Sequence, residues 1–421
     1  MPALHTLKAS VICVLMCLSL VSCSGLKPQE AFANSTPFTA PSISPLSPTK
    51  PPLPTATAVA FELQATGTPL PIPTPSQLTL TISVQVTTVI STVIHLANIN
   101  PLTGLLVSDP ALLERRPMAI KVTKFPRSVR PEWGLSQADN VYNYYIGDQM
   151  TRFIGVFYGT DASRVGPVRS ARYFDENIIR MYKAIFVFGS ADPRVLDPWL
   201  ESDIKKLLVL ERPDNCPPLC RIGPASNYNT LFADTSKLNA YITTRWEKIS
   251  RQDLSGLSFN AIAPFTPLAG TTISTRYTFV SYNRWVFDPA SNRYLRFEES
   301  QDEQQGQQAY LPLIDSLTEK QLAADNVVVL LIPHKYEVNT ATTEMVSMNF
   351  IGKGRAYAFR EGKIYPVRWQ RAAPEALLSL ENLDGSPYLL KPGNTWFEVI
   401  GTTSDVEQQL NGSWSFGFRI P

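Results

Sequence analysis

Gly166-Pro167-Val168-Arg169-Ser170-Ala171-Arg172 lies between two apolar runs, 152–158 and 184–188, that read as strands. Beyond it, Phe174, Ile178, Met181 and Tyr182 recur at i, i+4, i+7 and i+8, which is one face of a helix. Ser170 is placed to cap that helix, and Asp175 and Glu176 stand near its positive end. Strand, loop, helix and strand make a β-α-β unit. If its strands are parallel, the crossover is right-handed. The loop then sits at the carboxyl end of the first strand, where open α/β sheets bind ligands.

Outward from this unit, the segment 98–250 reads as one α/β-type domain. Asn100-Pro101-Leu102-Thr103-Gly104 is a turn signal, Arg116-Pro117 introduces a strand over 118–123, and an aromatic strand over 140–146 follows Asp139. Cys216-Pro217-Pro218-Leu219-Cys220 can close a local disulfide in an extracytoplasmic compartment. A redox-active pair would need the shorter CxxC spacing and a following helix.

The segment 265–418 is strand-rich and reads as a second, mainly antiparallel β domain, so the expected class is α+β. Strands are expected over 276–282, 284–288, 294–298, 326–332, 355–359, 363–369 and 395–400, with turns at Asp288-Pro289, Glu361-Gly362, Asp384-Gly385 and Pro392-Gly393. Gly352-x-Gly354 has no strand-to-helix context and is no nucleotide loop. No cofactor motif is present.

The N-terminus is an address. An apolar run over 9–21, too short to span a bilayer, ends in Leu20-Val21-Ser22-Cys23. This reads as a lipoprotein signal peptide (1–22) with Cys23 as the lipidated residue. Two or more acyl chains on Cys23 meet the requirement for stable anchoring. The expected location is the cell membrane, on its extracytoplasmic face. Residues 23–78 are a tether rich in Pro, Thr and Ser, holding twelve of the chain's 35 prolines, and such a composition stays extended and unpacked. Alternation over 79–96 fits either a docked strand or a stalk.

Composition excludes several classes. A net charge of +2 over 421 residues argues against a nucleic-acid partner held by bulk electrostatics. His5, His95 and His334 are scattered and come with no cysteine or carboxylate cluster, so no metal site of His/Cys type is expected.

The order of Asn100–Gly104, Arg116-Pro117, Gly134-Leu135-Ser136-Gln137-Ala138-Asp139, Thr151-Arg152-Phe153 and Gly166–Arg172 resembles the YerB family of bacterial lipoproteins. So do Trp285–Asp288, Asp315, Asp325–Val328 and Pro392–Trp396. The resemblance spans about 100 to 400 and implies a domain of unknown function in two halves, with no catalytic residues to carry over. The chain departs from the family pattern where acidic residues are usual, at Tyr142-Asn143 and Gly147-Asp148-Gln149. It departs again at Asn227-Tyr228-Asn229, where a histidine is expected.

Two functions fit. The first is a binding or scaffold lipoprotein of the envelope, contacting a cell-wall polymer or a protein through an anion site at Arg169, Ser170, Arg172 and Arg152. The second is a hydrolase or transferase on an anionic envelope polymer, with Asp139 and Asp148 as site carboxylates; glycoside chemistry would need two carboxylates across a cleft. The arginines also have a purely structural account, pairing with Asp139, Asp148 or Asp175. A pocket gathering Asp139, Asp148, Arg169 and Arg172 would favour the enzyme.

Overall fold

The computed structural model describes residues 98–224, 226–245 and 250–420. Cys23, the signal peptide, the tether and the 79–96 stretch lie outside the described residues.

Ten strands, labelled β1 to β10 in chain order, form the main sheet. They are Met118–Thr123, Asn140–Gly147, Met150–Phe157, Ile185–Phe188, Leu208–Leu210, Asn326–Ile332, Gly352–Arg360, Lys363–Arg371, Ser379–Glu381 and Thr395–Gly401. Their spatial order is β9-β8-β7-β6-β10-β2-β3-β1-β4-β5. The two segments read as separate domains therefore share one sheet. β10 lies between β2 and β6, parallel to both, with Asn140 and Asn326 each opposite Thr395. The boundary near 250–265 divides the sequence without dividing the hydrogen bonding.

Alternation along β2 and β10 explains why both faces are covered. Tyr142 stacks on Phe397 at 4.5 Å, and Tyr144 packs on Phe174, on the face covered by helix α1, Asp175–Tyr182. The neighbouring positions turn the other way. Asn143 donates to Glu398, and Trp396 meets Trp285 edge-on at 5.1 Å. Trp285 belongs to a second sheet ordered 310–312, 293–299, 282–288, 272–276, 413–417 and 405–408, with 323–324 pairing 293–299.

The crossover around α1 takes a form other than the parallel one. β1 pairs antiparallel with β3 and parallel with β4, so β3 and β4 run in opposite directions with β1 between them. After β3 the chain turns back and runs beside β1 before entering α1. The parallel strand–helix–strand unit comes one element later: β4, helix α2 (Pro193–Glu201) and β5. A third helix, α3, covers Thr235–Arg245. The strand expected over 276–282 is also revised. One strand ends at Arg276 and the next begins at Tyr282, and the Tyr277 N–H donates to the Ser281 carbonyl in the turn between them.

Candidate functional site

Residues 165–171 are stitched into the sheet as extended chain. Val168 bridges Val122, the Arg169 N–H donates to the Lys121 carbonyl at 3.1 Å, and the Gly189 N–H donates to the Arg169 carbonyl at 3.0 Å. Gly166 has φ +147°, and a Cβ there would lie 2.8 Å from the Val168 nitrogen, so the turn requires glycine. The segment occupies the carboxyl ends of β1 and β4. Arg152 joins it from β3, opposite Thr123 at the same end. The structure thus brings Arg152, Arg169, Ser170 and Arg172 together.

Ser170 does not cap α1. The helix begins at Asp175, because the preceding residues are held in extended pairing, and the Ser170 hydroxyl instead lies 3.0 Å from that of Ser190. The Arg172 N–H donates to Asp175 Oδ2 at 2.8 Å, so the helix entrance already holds a carboxylate. An anion here would rest on the arginines, not on the helix end.

Among the described residues, no carboxylate lies within 4 Å of the guanidinium groups of Arg152, Arg169 or Arg172. Arg152 is buried and donates to the Ser170 carbonyl; Arg172 donates to the Ala171 carbonyl at 2.8 Å. Arg169 Nε is buried and has no hydrogen-bond partner among the described residues. Burial weakens the hold of all three on their protons. The charges of Arg172 and Arg169 add to this for Arg152, and those of Arg172 and Arg221 for Arg169. Beside Arg169 lies a cavity of about 340 Å³, reached by Ser170, Ser190, Arg221, Glu211 and Tyr228. Glu211 is held by Arg221 through both oxygens.

The two proposed carboxylates are separated. Asp139 precedes β2 and Asp148 follows it, and eight residues of strand span roughly 26 Å at about 3.3 Å each. Paired glycosidase carboxylates stand within about 10 Å. The length of the 140–146 strand already carried this signal in the sequence. Asp139 accepts from Asn100 Nδ2 at 2.7 Å and from the N–H groups of Tyr158 and Gly159 at 2.6 and 3.0 Å. Burial pushes its pKa up to about 6. It lines a second cavity, about 490 Å³, whose other side chains include Asn394 and Asp325. Asn394 is engaged by Arg293 and Ala323, and Asp325 by Lys391, so the polar valences of this cavity are largely filled from within. Asp148 is exposed, and its N–H donates to Glu344 at 2.8 Å.

Sequence reading missed Lys121 and Asp175 as a pair: fully buried, 2.9 Å apart, directly under the arginines. A lysine inside the otherwise apolar run 118–123 was the available signal. It also missed Tyr228, whose ring centre lies 6.0 Å from the Arg169 guanidinium, at the position where the resemblance expects histidine. Cys216 and Cys220 form the disulfide, with Cα atoms 4.9 Å apart.

Residues 102–250 match the N-terminal domain, and 273–397 the C-terminal domain, of the protein of unknown function DUF3048. A stretch of 93 residues is 40% identical to the putative lipoprotein YerB of Bacillus subtilis (strain 168); it spans 22% of this chain and 28% of that relative. The crystal structure of the YerB protein from Bacillus subtilis is similar in fold, with a TM-score of 0.58 and 21% identity over 72% of this chain and 96% of that one.

Proposed function

The chain belongs to the DUF3048 family of proteins of unknown function, and from that premise we propose that it is a membrane-anchored, extracytoplasmic lipoprotein that binds an anionic group of the cell envelope at Arg152, Arg169 and Arg172. Three guanidinium groups share one neighbourhood, and among the described residues no carboxylate touches them. This observation carries the reading. Like charges crowded in partly buried surroundings repel, and a bound anion relieves that repulsion. Guanidinium forks also match carboxylate and phosphate geometry. Anchoring is supported by Leu20-Val21-Ser22-Cys23 after an apolar run, and by a relative that carries the name putative lipoprotein. The enzymatic alternative loses its carboxylate pair, since Asp139 and Asp148 stand at opposite ends of β2.

The test joins binding and stability. Soluble polyphosphate and polyglutamate serve as anionic probes. Arg169→Ala and Arg172→Ala should abolish probe binding while moving the melting temperature little. Unchanged binding, with a stability loss of roughly 3–5 kcal/mol as for a broken buried pair, would sink the reading. For the anchor, mass spectrometry should find acyl chains on Cys23, and Cys23→Ser should release the body from the membrane fraction. An unmodified Cys23 in the wild-type protein ends that part of the claim.

A further inference from the structure

A second layer of charge lies beneath the arginines. Lys121 and Asp175 are fully buried and joined at 2.9 Å, and the Tyr144 hydroxyl donates to the same oxygen of Asp175. The lysine ammonium also sits 4.1 Å from the centre of the Tyr144 ring. The charged groups acting on Lys121 are Asp175 from α1, Arg152 from β3 and Arg172 from the connecting segment. Lys121, Arg152 and Arg172 thus face one fully buried carboxylate, and Arg169 adds its positive charge beside Arg152. Asp148 acts on Arg152 and Arg172, and Asp192 on Arg172, from beyond ion-pair distance. Set against the three guanidinium groups, the ammonium and Asp175, a singly charged anion leaves two positive charges uncompensated and a doubly charged one leaves one.

Resting on the binding reading above, we propose that the anion taken at Arg152, Arg169 and Arg172 is a doubly charged tetrahedral group of the phosphate-monoester or sulfate class, and that Lys121 gains a proton as it binds. The coupling follows from the layering. Burial lowers the Lys121 pKa to about 7, and the positive charges of Arg152 and Arg172 press the same way. An anion at the arginines reverses that local potential and favours the ammonium form. A singly charged diester, as in the backbone of a phosphodiester polymer, offers half of this compensation. The preferred partner is therefore a terminal phosphate monoester or a free dianion.

Calorimetric titration of the full chain tests this with sulfate and methyl sulfate, which share tetrahedral geometry but differ by one charge, and neither titrates near neutrality. Sulfate should bind at least about tenfold more tightly than methyl sulfate, consistent with an added charge worth about 1.4 kcal/mol. Runs at pH 8.5 in two buffers of different ionisation heat should show uptake of roughly one proton with sulfate, falling towards none at pH 6. Lys121→Met should remove that uptake; should this variant fail to fold, the two-buffer measurement on the wild type still decides. Comparing inorganic phosphate with methyl phosphate separates the sources: tighter methyl phosphate marks an ester-borne group, and the reverse marks a free ion. Equal affinity for sulfate and methyl sulfate with no proton uptake overturns this inference and leaves the anion site standing. Failure of every anion, polyphosphate included, overturns the binding reading itself.

Discussion

Glu132 is buried, and among the described residues no other residue donates a hydrogen bond to either of its carboxylate oxygens. Burial raises its pKa from 4.5 to about 7, with Arg130 and Lys124 only partly opposing the rise and Glu298 adding to it. The sign of the consequence follows. Below pH 4.5 the group is neutral both folded and unfolded, and the stability is fully present. As the pH climbs through 7, the unfolded chain gains from ionisation before the folded one does, and stability falls by something on the order of 3 kcal/mol. Glu132→Gln keeps the shape and removes the charge. It should flatten that part of the pH dependence and make the variant more stable than wild type at pH 8. Denaturant unfolding at pH 5 and pH 8 would show it, and an unchanged pH slope would contradict it.

At the scale of elements, Glu398 on β10 ties the main sheet to the second. Its carboxylate accepts from Asn143 on β2, from Asn283 and Trp285 on the strand 282–288, from Arg296 on the strand 293–299, and from Tyr277 in the turn. Glu398→Ala leaves the buried Arg296 with Glu298 as its remaining carboxylate and strips an acceptor from the buried Asn143, Asn283, Trp285 and Tyr277, which should cost about 3 kcal/mol or more in denaturant unfolding. The Cys216–Cys220 bond closes a loop of a few residues, so replacing both with serine should cost at most about 2 kcal/mol. Thiol labelling of the native protein should leave both cysteines unmodified. Single elements were legible in the sequence for a local reason. β1 spans Met118–Thr123, as expected from an apolar run placed after Arg116-Pro117, and β2 and β3 fall within two residues of their expected ends. Pairing was not legible, because nothing in 140–147 encodes that its neighbour is Thr395–Gly401. The same gap hid β1 between β3 and β4. The arginines were legible as a cluster because they sit close together in the chain. Lys121 and Asp175 were not, because their contact exists only once β1 and α1 pack.

For the whole molecule, the shared sheet means that neither family segment holds a complete core. Residues 98–250 alone would leave the edge of β2 without β10, and would expose Tyr142 and Phe153 where Phe397 and Trp396 now cover them. That fragment should show no cooperative thermal transition by circular dichroism, whereas residues 78–421 should melt as one unit. A sharp melt of the fragment would show that the first segment folds alone. The place of β10 also sets a timetable. A chain emerging N-terminus first presents β2 long before Thr395–Gly401 exists, and until then β2 offers an open row of backbone donors and acceptors. Contacts this distant in sequence close slowly. During that wait the nascent protein is most exposed to pairing with the wrong strand, and the last seven-residue strand of the main sheet ends it.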